Sequence, residues 1–350
     1  MKKVLLCTIL VIFALLVGCS DDKEKAENNE SKESAVEDKS DQPEKMEHVY
    51  PLTGIGTNEA ANNRIVGVMI NNHTNARPQT GLSKADIVFE ILAEGRITRF
   101  LALFQSEKPD VVGPVRSARE YYFELADDYN ALYVYHGAAA FVNDMIDNRG
   151  IEYLDGFHHD NDGKLFKRES FREAPHNSYL LFDAVYDAAE EKGYDITATY
   201  EPLPFLTKDE VAGLAGESAQ HVEIDYSKNK IMEIVEFDYD ADSEKYTRFN
   251  DREKTVELNT DEPIQVDNVF VVETHHEVID DAGRRAVDME SGGDALLLQK
   301  GKVQQVQWEN KDGRIIPVKN GKPVGFVPGK TWINVVPNNP GIDSSVTVSN

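Results

Sequence analysis

Hydrophobic and polar positions alternate in short blocks through the first half of the folded region. Residues 65–70 form an apolar run that ends at two asparagines, which predicts a buried strand. Residues 86–93 and 98–105 are two β-rich runs joined by Glu94-Gly95-Arg96-Ile97, which predicts a hairpin. Residues 132–135 predict one more strand.

Helical segments separate these strands. A helix is predicted from a cap at Ser117 to about residue 128, and another over residues 138–149 that ends at Gly150. A third is predicted from a cap at Asn177 or Ser178 to Lys192. Because strands and helices are interleaved, the sequence predicts a layered α/β domain over residues 50–200.

The pattern changes after Pro202 and Pro204, which interrupt the chain near residue 200. Helical periodicity becomes weak, and short strands are predicted at residues 222–226, 231–239, 245–250, 268–273, 295–299 and 332–336. Residues 201–350 are therefore expected to form a mostly β domain, either a sandwich or an open barrel. The fold class predicted for the whole chain is α+β, with Trp308 and Trp332 in the β core.

The N-terminus has the features of an export signal. Lys2 and Lys3 precede an apolar run over residues 4–17, which is too short to span a bilayer comfortably. The run ends in Leu16-Val17-Gly18-Cys19, which resembles the lipobox of bacterial lipoproteins. This resemblance implies a signal peptide over residues 1–18 and lipidation of Cys19. An uncleaved anchor and an ordinary secretory signal are the alternatives.

The segment after Cys19 is strongly acidic. Residues 20–49 contain eleven acidic residues and five lysines, with too little apolar content to form a core, so we expect a disordered tether. The whole chain of 350 residues has a formal charge of −25, which argues against nucleic acid as a partner.

Cysteine and histidine usage also restricts the chemistry. Cys7 and Cys19 are the two cysteines, so the folded region has neither a disulfide framework nor a thiolate zinc site. The adjacent histidine pairs His158-His159 and His275-His276 lack the spacing of a helical zinc pair. No metal and no cofactor are therefore expected.

Several longer motifs carry a family resemblance. These are Met69-Ile70-Asn71-Asn72-His73, Ala76-Arg77-Pro78-Gln79-Thr80-Gly81-Leu82, Glu94-Gly95-Arg96-Ile97-Thr98-Arg99-Phe100 and Gly113-Pro114-Val115-Arg116-Ser117-Ala118-Arg119. Together they resemble the YerB family of bacterial lipoproteins, known as a domain of unknown function with N- and C-terminal parts. The resemblance extends over roughly residues 55–340. It implies a lipoprotein of the Gram-positive envelope and brings no established reaction.

Two glutamates of the predicted hairpin are candidate catalytic residues. A period of two places Glu90 and Glu94 on one face of the first strand, together with Asp86. A carboxyl group on a partly buried strand can act as the general acid of a glycan-cleaving enzyme. The alternative is an ion-paired face of a structural strand.

Four arginines and two histidines are candidate ligand-binding residues. Arg116 and Arg119 lie at the start of a predicted helix and, with Arg77 and Arg99, could recognise a carboxylate or phosphate. Peptidoglycan stem peptides and teichoic acids carry such groups. Internal salt bridges to the hairpin carboxylates are the alternative.

The two histidines follow predicted elements. His136 lies at a strand end, and His176 precedes a predicted helix cap. Each could also be a hydrogen-bonded structural histidine.

The favoured function is a non-enzymatic one. We expect a lipid-anchored protein on the extracytoplasmic face of the cell membrane, which binds a cell-wall component or a protein partner through a cleft. The expected cleft contains Arg77, Glu90, Arg99, Arg116, Arg119, His136 and His176. The alternatives are a peptidoglycan-cleaving enzyme resembling a lytic transglycosylase, with Glu90 or Glu94 as general acid, and a scaffold for other envelope proteins.

Overall fold

Short strands are the main secondary structure of the protein, and the computed structural model describes residues 46–226 and 233–350. The elements up to residue 212 are β1 (His48–Val49), β2 (Gly56–Thr57), β3 (Val66–Asn71), β4 (Ile87–Leu92), β5 (Thr98–Phe104), β6 (Val111–Val112), α1 (Glu120–Asp128), β7 (Leu132–Tyr135), α2 (Ala140–Arg149), β8 (Tyr153–Asp155), β9 (Phe166–Arg168), β10 (Ser178–Leu181), α3 (Val185–Glu191) and α4 (Lys208–Ala212). Three single 3-10 turns lie at Thr74–Ala76, Leu82–Lys84 and Phe182–Ala184.

In the described residues after 212, every secondary-structure element except the short helix α5 is a strand. These elements are β11 (Glu217–Ser218), β12 (His221–Asp225), β13 (Ile234–Asp240), β14 (Lys245–Asn250), β15 (Glu253–Lys254), β16 (Gln265–Val266), β17 (Asn268–Thr274), β18 (His276–Val278), β19 (Arg285–Val287), β20 (Gly293–Gln299), β21 (Lys302–Lys311), β22 (Arg314–Lys319), β23 (Lys322–Pro323), β24 (Thr331–Pro337), α5 (Ile342–Ser345) and β25 (Val346–Ser349).

A mixed sheet of twelve strands is the largest feature of the described residues. Its order is β23-β22-β21-β20-β17-β24-β4-β5-β3-β7-β8, and β11 pairs with β21. The pairs β17–β24, β24–β4, β3–β7 and β7–β8 are parallel. The β24–β4 pair joins a strand from the second half of the chain to one from the first, so both halves share this sheet.

Two apolar clusters cover the two faces of the mixed sheet. On one face, Phe89 packs with Tyr121 and Tyr122 of α1. On the other, Phe100 and Trp332 pack with Phe237 of a second sheet, which has the order β15-β14-β13-β12-β25 with β16 beside β14. Because both faces are covered, the central strands are buried throughout.

The predicted hairpin is confirmed, but the face of its first strand that was predicted to be accessible is buried. Strands β4 and β5 pair antiparallel from Ile87 opposite Leu103 to Leu92 opposite Thr98. The face that carries Val88, Glu90 and Leu92 was expected to be partly polar and accessible, yet all three residues are buried. The second sheet packs there, and the hairpin sequence alone contains no sign of it.

The helix predictions are partly wrong. Residues 178–181 form strand β10 instead of the first helical turn, because the backbone there pairs with β9 and β6, and α3 starts only at Val185. The cap of α1 is Arg119, two residues after the predicted Ser117. Gly150 does end α2, with a positive φ of 69°.

In the second half, the predicted strands all have counterparts within a few residues. The long strand β21 and its neighbour β22 were missed, because seven of the ten residues of β21 are polar or charged and its three apolar residues do not alternate regularly with them. Trp308 and Trp332 are buried in the core as expected. The chain is thus mostly β with few helices. The layered α/β domain and the boundary near residue 200 stay predictions.

The N-terminal predictions fall largely outside the described residues. The signal segment, Cys19 and the tether up to residue 45 are not among them, whereas the tether's last two residues form β1, paired with β2. Within residues 46–226 and 233–350, no helix is long and apolar enough to cross a membrane.

A buried ion pair connects the two sheets. Nη2 of Arg248 lies 2.9 Å from each carboxylate oxygen of Glu90. The same carboxylate accepts hydrogen bonds from Thr98 Oγ1 at 2.9 Å and Trp332 Nε1 at 2.8 Å. The Arg248 guanidinium also lies over the Trp332 ring, 4.6 Å from its centroid. Residues from β4, β5, β14 and β24 therefore meet at one charged group.

Removing one partner of this pair should strongly destabilise the protein. We expect Arg248→Met to lower the free energy of unfolding by about 3–5 kcal/mol, since it leaves the Glu90 carboxylate buried and uncompensated. Urea denaturation followed by circular dichroism measures the change. As a control, Arg149→Met removes an exposed arginine that pairs with Glu120 and Glu124 and should cost less than about 1 kcal/mol.

The double variant Glu90→Leu/Arg248→Met should recover most of the loss, because no unpaired charge stays buried. Equal, small effects of Arg248→Met and Arg149→Met would contradict this description of the core.

Candidate functional site

The β4–β5 turn forms one wall of a cleft. Residues 93–97 close the hairpin through a hydrogen bond from Ala93 N to Ile97 O of 2.8 Å, and Gly95 has a φ of 64°, which favours glycine. Arg285 of β19 donates to the carbonyls of Ala93 at 3.1 Å and Gly95 at 3.0 Å. A residue from the second half of the chain therefore holds the turn in place.

Glu94 at this turn braces two arginines. One carboxylate oxygen lies 2.6 Å from Nη2 of Arg99, and the other accepts a hydrogen bond from Nη2 of Arg119. Arg99 projects from β5 and also donates to Ser117 O at 3.0 Å. Arg119 is the residue before α1 and donates to its neighbour's carbonyl as well. Both arginines are more than nine-tenths buried. One glutamate thus orients two guanidinium groups and balances the charge of only one of them.

Arg116 is the third arginine of the cleft and has a different environment. Its backbone N–H donates to Met69 O at 2.9 Å, which fixes the loop before α1 beside strand β3. Its side chain has no hydrogen-bond or ion-pair partner among the residues that the structure describes. Burial and the neighbouring Arg99 lower the pKa of Arg116 to about 10. A half-buried cation therefore faces the cleft without an anion.

Two histidines also line the cleft. Asn71, at the end of β3, accepts a hydrogen bond from His73 N with its side-chain oxygen and donates to His176 Nδ1, both at 3.0 Å. His73 Nδ1 accepts from Asn75 N at 3.1 Å, and the two imidazole rings are 4.6 Å apart. Each neutral ring therefore carries its proton on Nε2, where it is a hydrogen-bond donor.

These residues enclose a cavity of about 350 Å³. The structure thus brings together Glu94, Arg99, Arg116, Arg119 and His176 of the predicted site. Three guanidinium groups face one carboxylate, so the cleft is positive although the whole chain has a formal charge of −25. Three other clefts among the described residues, of about 420, 450 and 510 Å³, are larger, but none of them combines three arginines.

Glu90 and Arg77 lie outside this cavity. The side chain of Glu90 is fully buried in the ion pair with Arg248. Arg77 contacts Asp251 at 2.6 Å and the backbone of Asn72 at 3.0 Å, and it lines a separate, smaller cavity. These two candidate ligand-binding residues therefore connect elements of the fold instead of facing the cleft.

His136 is also outside the cavity. Its Nδ1 is 2.7 Å from Ser178 Oγ, its Nε2 is 3.3 Å from Nη2 of Arg168, and its ring packs against Phe166. Burial and the charge of Arg168 lower its pKa. This is the environment of a structural histidine, with both ring nitrogens engaged.

The geometry offers little for general acid catalysis. Glu90 cannot reach a substrate, because its side chain has no exposed surface. Glu94 does line the cleft, but its two ion pairs favour the carboxylate over the protonated form that an acid catalyst needs. The arrangement is suited to holding an anion.

The sequence-based reasoning missed His73, Asn71 and Arg285. His73 and Asn71 could have been predicted from the sequence, because polar residues at the end of a buried strand often line a ligand site. Arg285 gave no such signal, since it is separated from the hairpin by about 190 residues and meets it only through the fold.

Comparison with known proteins agrees with the motif resemblance. Residues 52–195 match the N-terminal domain, and residues 222–333 the C-terminal domain, of the family described as protein of unknown function (DUF3048). The chain is 44% identical over 340 residues to "Putative lipoprotein YerB" of Bacillus subtilis (strain 168), covering 97% of this chain and 96% of that protein.

A crystal structure of the YerB protein from Bacillus subtilis is also similar. It superposes with a TM-score of 0.79 at 45% identity, over 87% of this chain and all of that chain. The predicted resemblance to the YerB family is confirmed.

The unpaired state of Arg116 has a measurable consequence for stability. We expect Arg116→Met to raise the free energy of unfolding by about 1 kcal/mol, because it removes a half-buried cation beside Arg99, with allowance for solvent screening. Arg99→Met is the matched control and should lower it, since Glu94 then loses a partner. Urea denaturation at pH 7 measures both. A destabilisation by Arg116→Met as large as that by Arg99→Met would mean that Arg116 has a structural partner.

Proposed function

The chain belongs to the DUF3048 family, and from this premise we propose that it is a lipid-anchored envelope protein whose arginine cleft binds an anionic group of the cell wall. The arginine cleft is the cavity lined by Glu94, Arg99, Arg116, Arg119 and His176. The observation that carries the proposal is Arg116, a half-buried guanidinium with no anion beside it in the described residues. A bound oxyanion would supply the missing negative charge.

The donors of the arginine cleft fit a carboxylate or phosphate group. A guanidinium presents a planar fork that bonds two oxygens of such a group at once. Nε2 of His73 and of His176, which also line the cleft, would add neutral donors. Because Glu94 already holds Arg99 and Arg119 in place, little side-chain entropy would be lost on binding.

The size of the arginine cleft favours a small group of a wall polymer over a protein surface. A volume of about 350 Å³ accommodates one sugar or one short peptide unit with its charged group, near the lower end of small-molecule sites. The acidic remainder of the molecule would repel anions elsewhere, so the positive cleft would concentrate them at one place. Stem peptides carry carboxylates and teichoic acids carry phosphodiesters, so both polymers supply an oxyanion of the required kind.

The anchoring part of the proposal rests on Cys19 and on the name of the relative from Bacillus subtilis. A cysteine after Leu16-Val17-Gly18 fits diacylglycerol transfer to its sulfur, and two or three acyl chains would hold the protein firmly on the membrane. The acidic segment over residues 20–45 would then separate the folded part from the lipid surface. The cleft would face the wall on the extracytoplasmic side.

Binding is tested with two soluble probes, muropeptides that carry stem-peptide carboxylates and glycerol phosphodiester oligomers. We expect the full-length protein in detergent to bind one of them, and Arg116→Gln to weaken that binding at least about tenfold, because a bidentate charged contact is lost. Isothermal titration calorimetry at low salt measures the affinity.

The control for this experiment is Arg149→Gln, which removes an exposed arginine on α2 and should leave the affinity unchanged. Equal binding by the Arg116 and Arg149 variants would contradict the proposal. A protein partner would be favoured instead if neither probe binds and if crosslinking in intact cells captures proteins through the cleft.

The affinity should also rise as the pH falls. Burial, His73, Arg116 and Arg172 lower the pKa of His176, so its ring is neutral at pH 7. A bound anion would raise that pKa, and binding would then take up a proton. The affinity should therefore increase as the pH falls through the pKa of His176 in the complex. It should level off once the pH is below the pKa of His176 in the free protein. His176→Gln should remove most of this increase for the phosphodiester probe, which does not titrate in this range.

Membrane attachment is tested by Cys19→Ala. We expect this variant to lose acylation and cleavage, so metabolic labelling with a radioactive fatty acid should mark the wild type and leave Cys19→Ala unlabelled. The Cys19→Ala substitution removes the sulfur that accepts the lipid and leaves the apolar run of residues 4–17 intact. Cys7→Ala is the matched control and should be labelled normally. Equal labelling of wild type and Cys19→Ala would contradict lipidation at this residue.

A further inference from the structure

A histidine and three carboxylates lie together on the second sheet. The antiparallel register of β12 and β13 places His221 opposite Asp238 and Glu223 opposite Glu236. Directly opposed residues share a face of the sheet, and residues two apart do so as well. One ligand atom each from His221, Glu223 and Glu236 lies within 4.8 Å of the others. These three residues are called the histidine–glutamate cluster below, and none of them lines the arginine cleft.

Asp238 fixes the proton of the histidine. Its Oδ1 is 2.6 Å from Nδ1 of His221, and a carboxylate oxygen can only accept at this position. The neutral ring therefore keeps its proton on Nδ1 and has a lone pair on Nε2. Histidines that bind metal ions almost always donate their other N–H to a carboxylate or carbonyl in this way.

Glu236 contributes an oxygen with no partner. Its side chain is nine-tenths buried, and Oε1 lies 2.5 Å from Nη1 of Arg252. Oε2 is buried and has no hydrogen-bond partner in the described residues. An unsatisfied carboxylate oxygen at such a position is costly unless a cation or a donor reaches it. It lies on the face of the sheet that carries His221 and Glu223.

Among residues 46–226 and 233–350, the acids of this region outnumber the cations that contact them. Glu223, Glu236 and Asp238 are three acids, and Arg252 is the cation that contacts the first two, at 2.7 and 2.5 Å. The Arg252 side chain is more than half exposed and follows β14 in a turn. It can therefore leave the carboxylates at little cost to the core when another cation arrives.

We propose that the histidine–glutamate cluster binds one divalent metal ion of the zinc class. His221 Nε2 and one oxygen each from Glu223 and Glu236 are the ligands, and Asp238 orients the imidazole. A set of one nitrogen and two carboxylate oxygens suits Zn²⁺ better than Ca²⁺ or Mg²⁺, which prefer oxygen ligands alone. This inference is independent of the arginine cleft and differs from the expectation, based on sequence spacing, that the chain binds no metal.

Titration of the full-length protein in detergent with zinc chloride, followed by isothermal titration calorimetry at pH 7.5, tests the site. We expect one equivalent to bind. His221→Ala and Glu236→Gln should each weaken this binding at least about tenfold, and Asp238→Asn should weaken it by about tenfold through the lost orientation of the ring. The control is His159→Ala, which removes an exposed histidine that also pairs with a carboxylate, Asp162, at 3.2 Å. It should leave the affinity unchanged.

Arg252→Gln distinguishes a metal site from a structural cluster. It removes the competing cation and should tighten zinc binding several-fold, whereas loss of a merely structural arginine would not improve it. Thermal unfolding without metal confirms that each variant is folded. The proposal is wrong if zinc does not bind, if His221→Ala binds as the wild type does, or if Mg²⁺ competes equally well, because the site would then be a set of surface acids.

Discussion

The buried ion pair between Glu90 and Arg248 is the interaction on which the rest of the structure depends. A carboxylate without solvent contact is stable only when its oxygens are fully bonded, and here an arginine, a threonine and Trp332 from separate strands are required to meet it. The β4–β5 hairpin, the second sheet and β24 therefore have one relative arrangement. The same hairpin carries Glu94 at its turn, so the position of the arginine cleft follows from the position of this pair.

The arginine cleft is positive because its three arginines share a single carboxylate, that of Glu94. Glu94 is shared by Arg99 and Arg119, which holds both guanidinium groups in place and leaves this part of the cleft with a net positive charge. Arg116 lies beside these two arginines without a carboxylate partner in the described residues, and its pKa is lowered first by burial and second by the charge of Arg99. An external anion that binds beside Arg116 would supply the missing negative charge and so lower the free energy of the protein. The proposed binding of a wall anion follows from this.

Local patterns predicted the hairpin, ten of the 25 described strands and the nearby pair Arg116 and Arg119, because these depend on neighbours a few residues apart. The roles of Glu90 and Glu94 could not be separated in this way. A period of two places both on one face of the predicted strand, and only the second sheet, more than 100 residues later in the chain, decides that Glu90 is buried and Glu94 is not. His136 and His176 differ for the same reason. The histidine–glutamate cluster needed the register of β12 and β13, which no spacing rule contains.

The most direct test of the central claim observes the arginine side chains themselves. In protein labelled with ¹⁵N-arginine, the Nε–Hε resonance of Arg116, assigned by its absence in Arg116→Lys, is followed while the glycerol phosphodiester probe or the muropeptide is added. One of the two should shift the Arg116 resonance most, Arg99 and Arg119 less, and buried Arg248 not at all. Shifts spread evenly over exposed arginines such as Arg149, with Arg116 unaffected, would contradict the assignment of the arginine cleft as an anion-binding site.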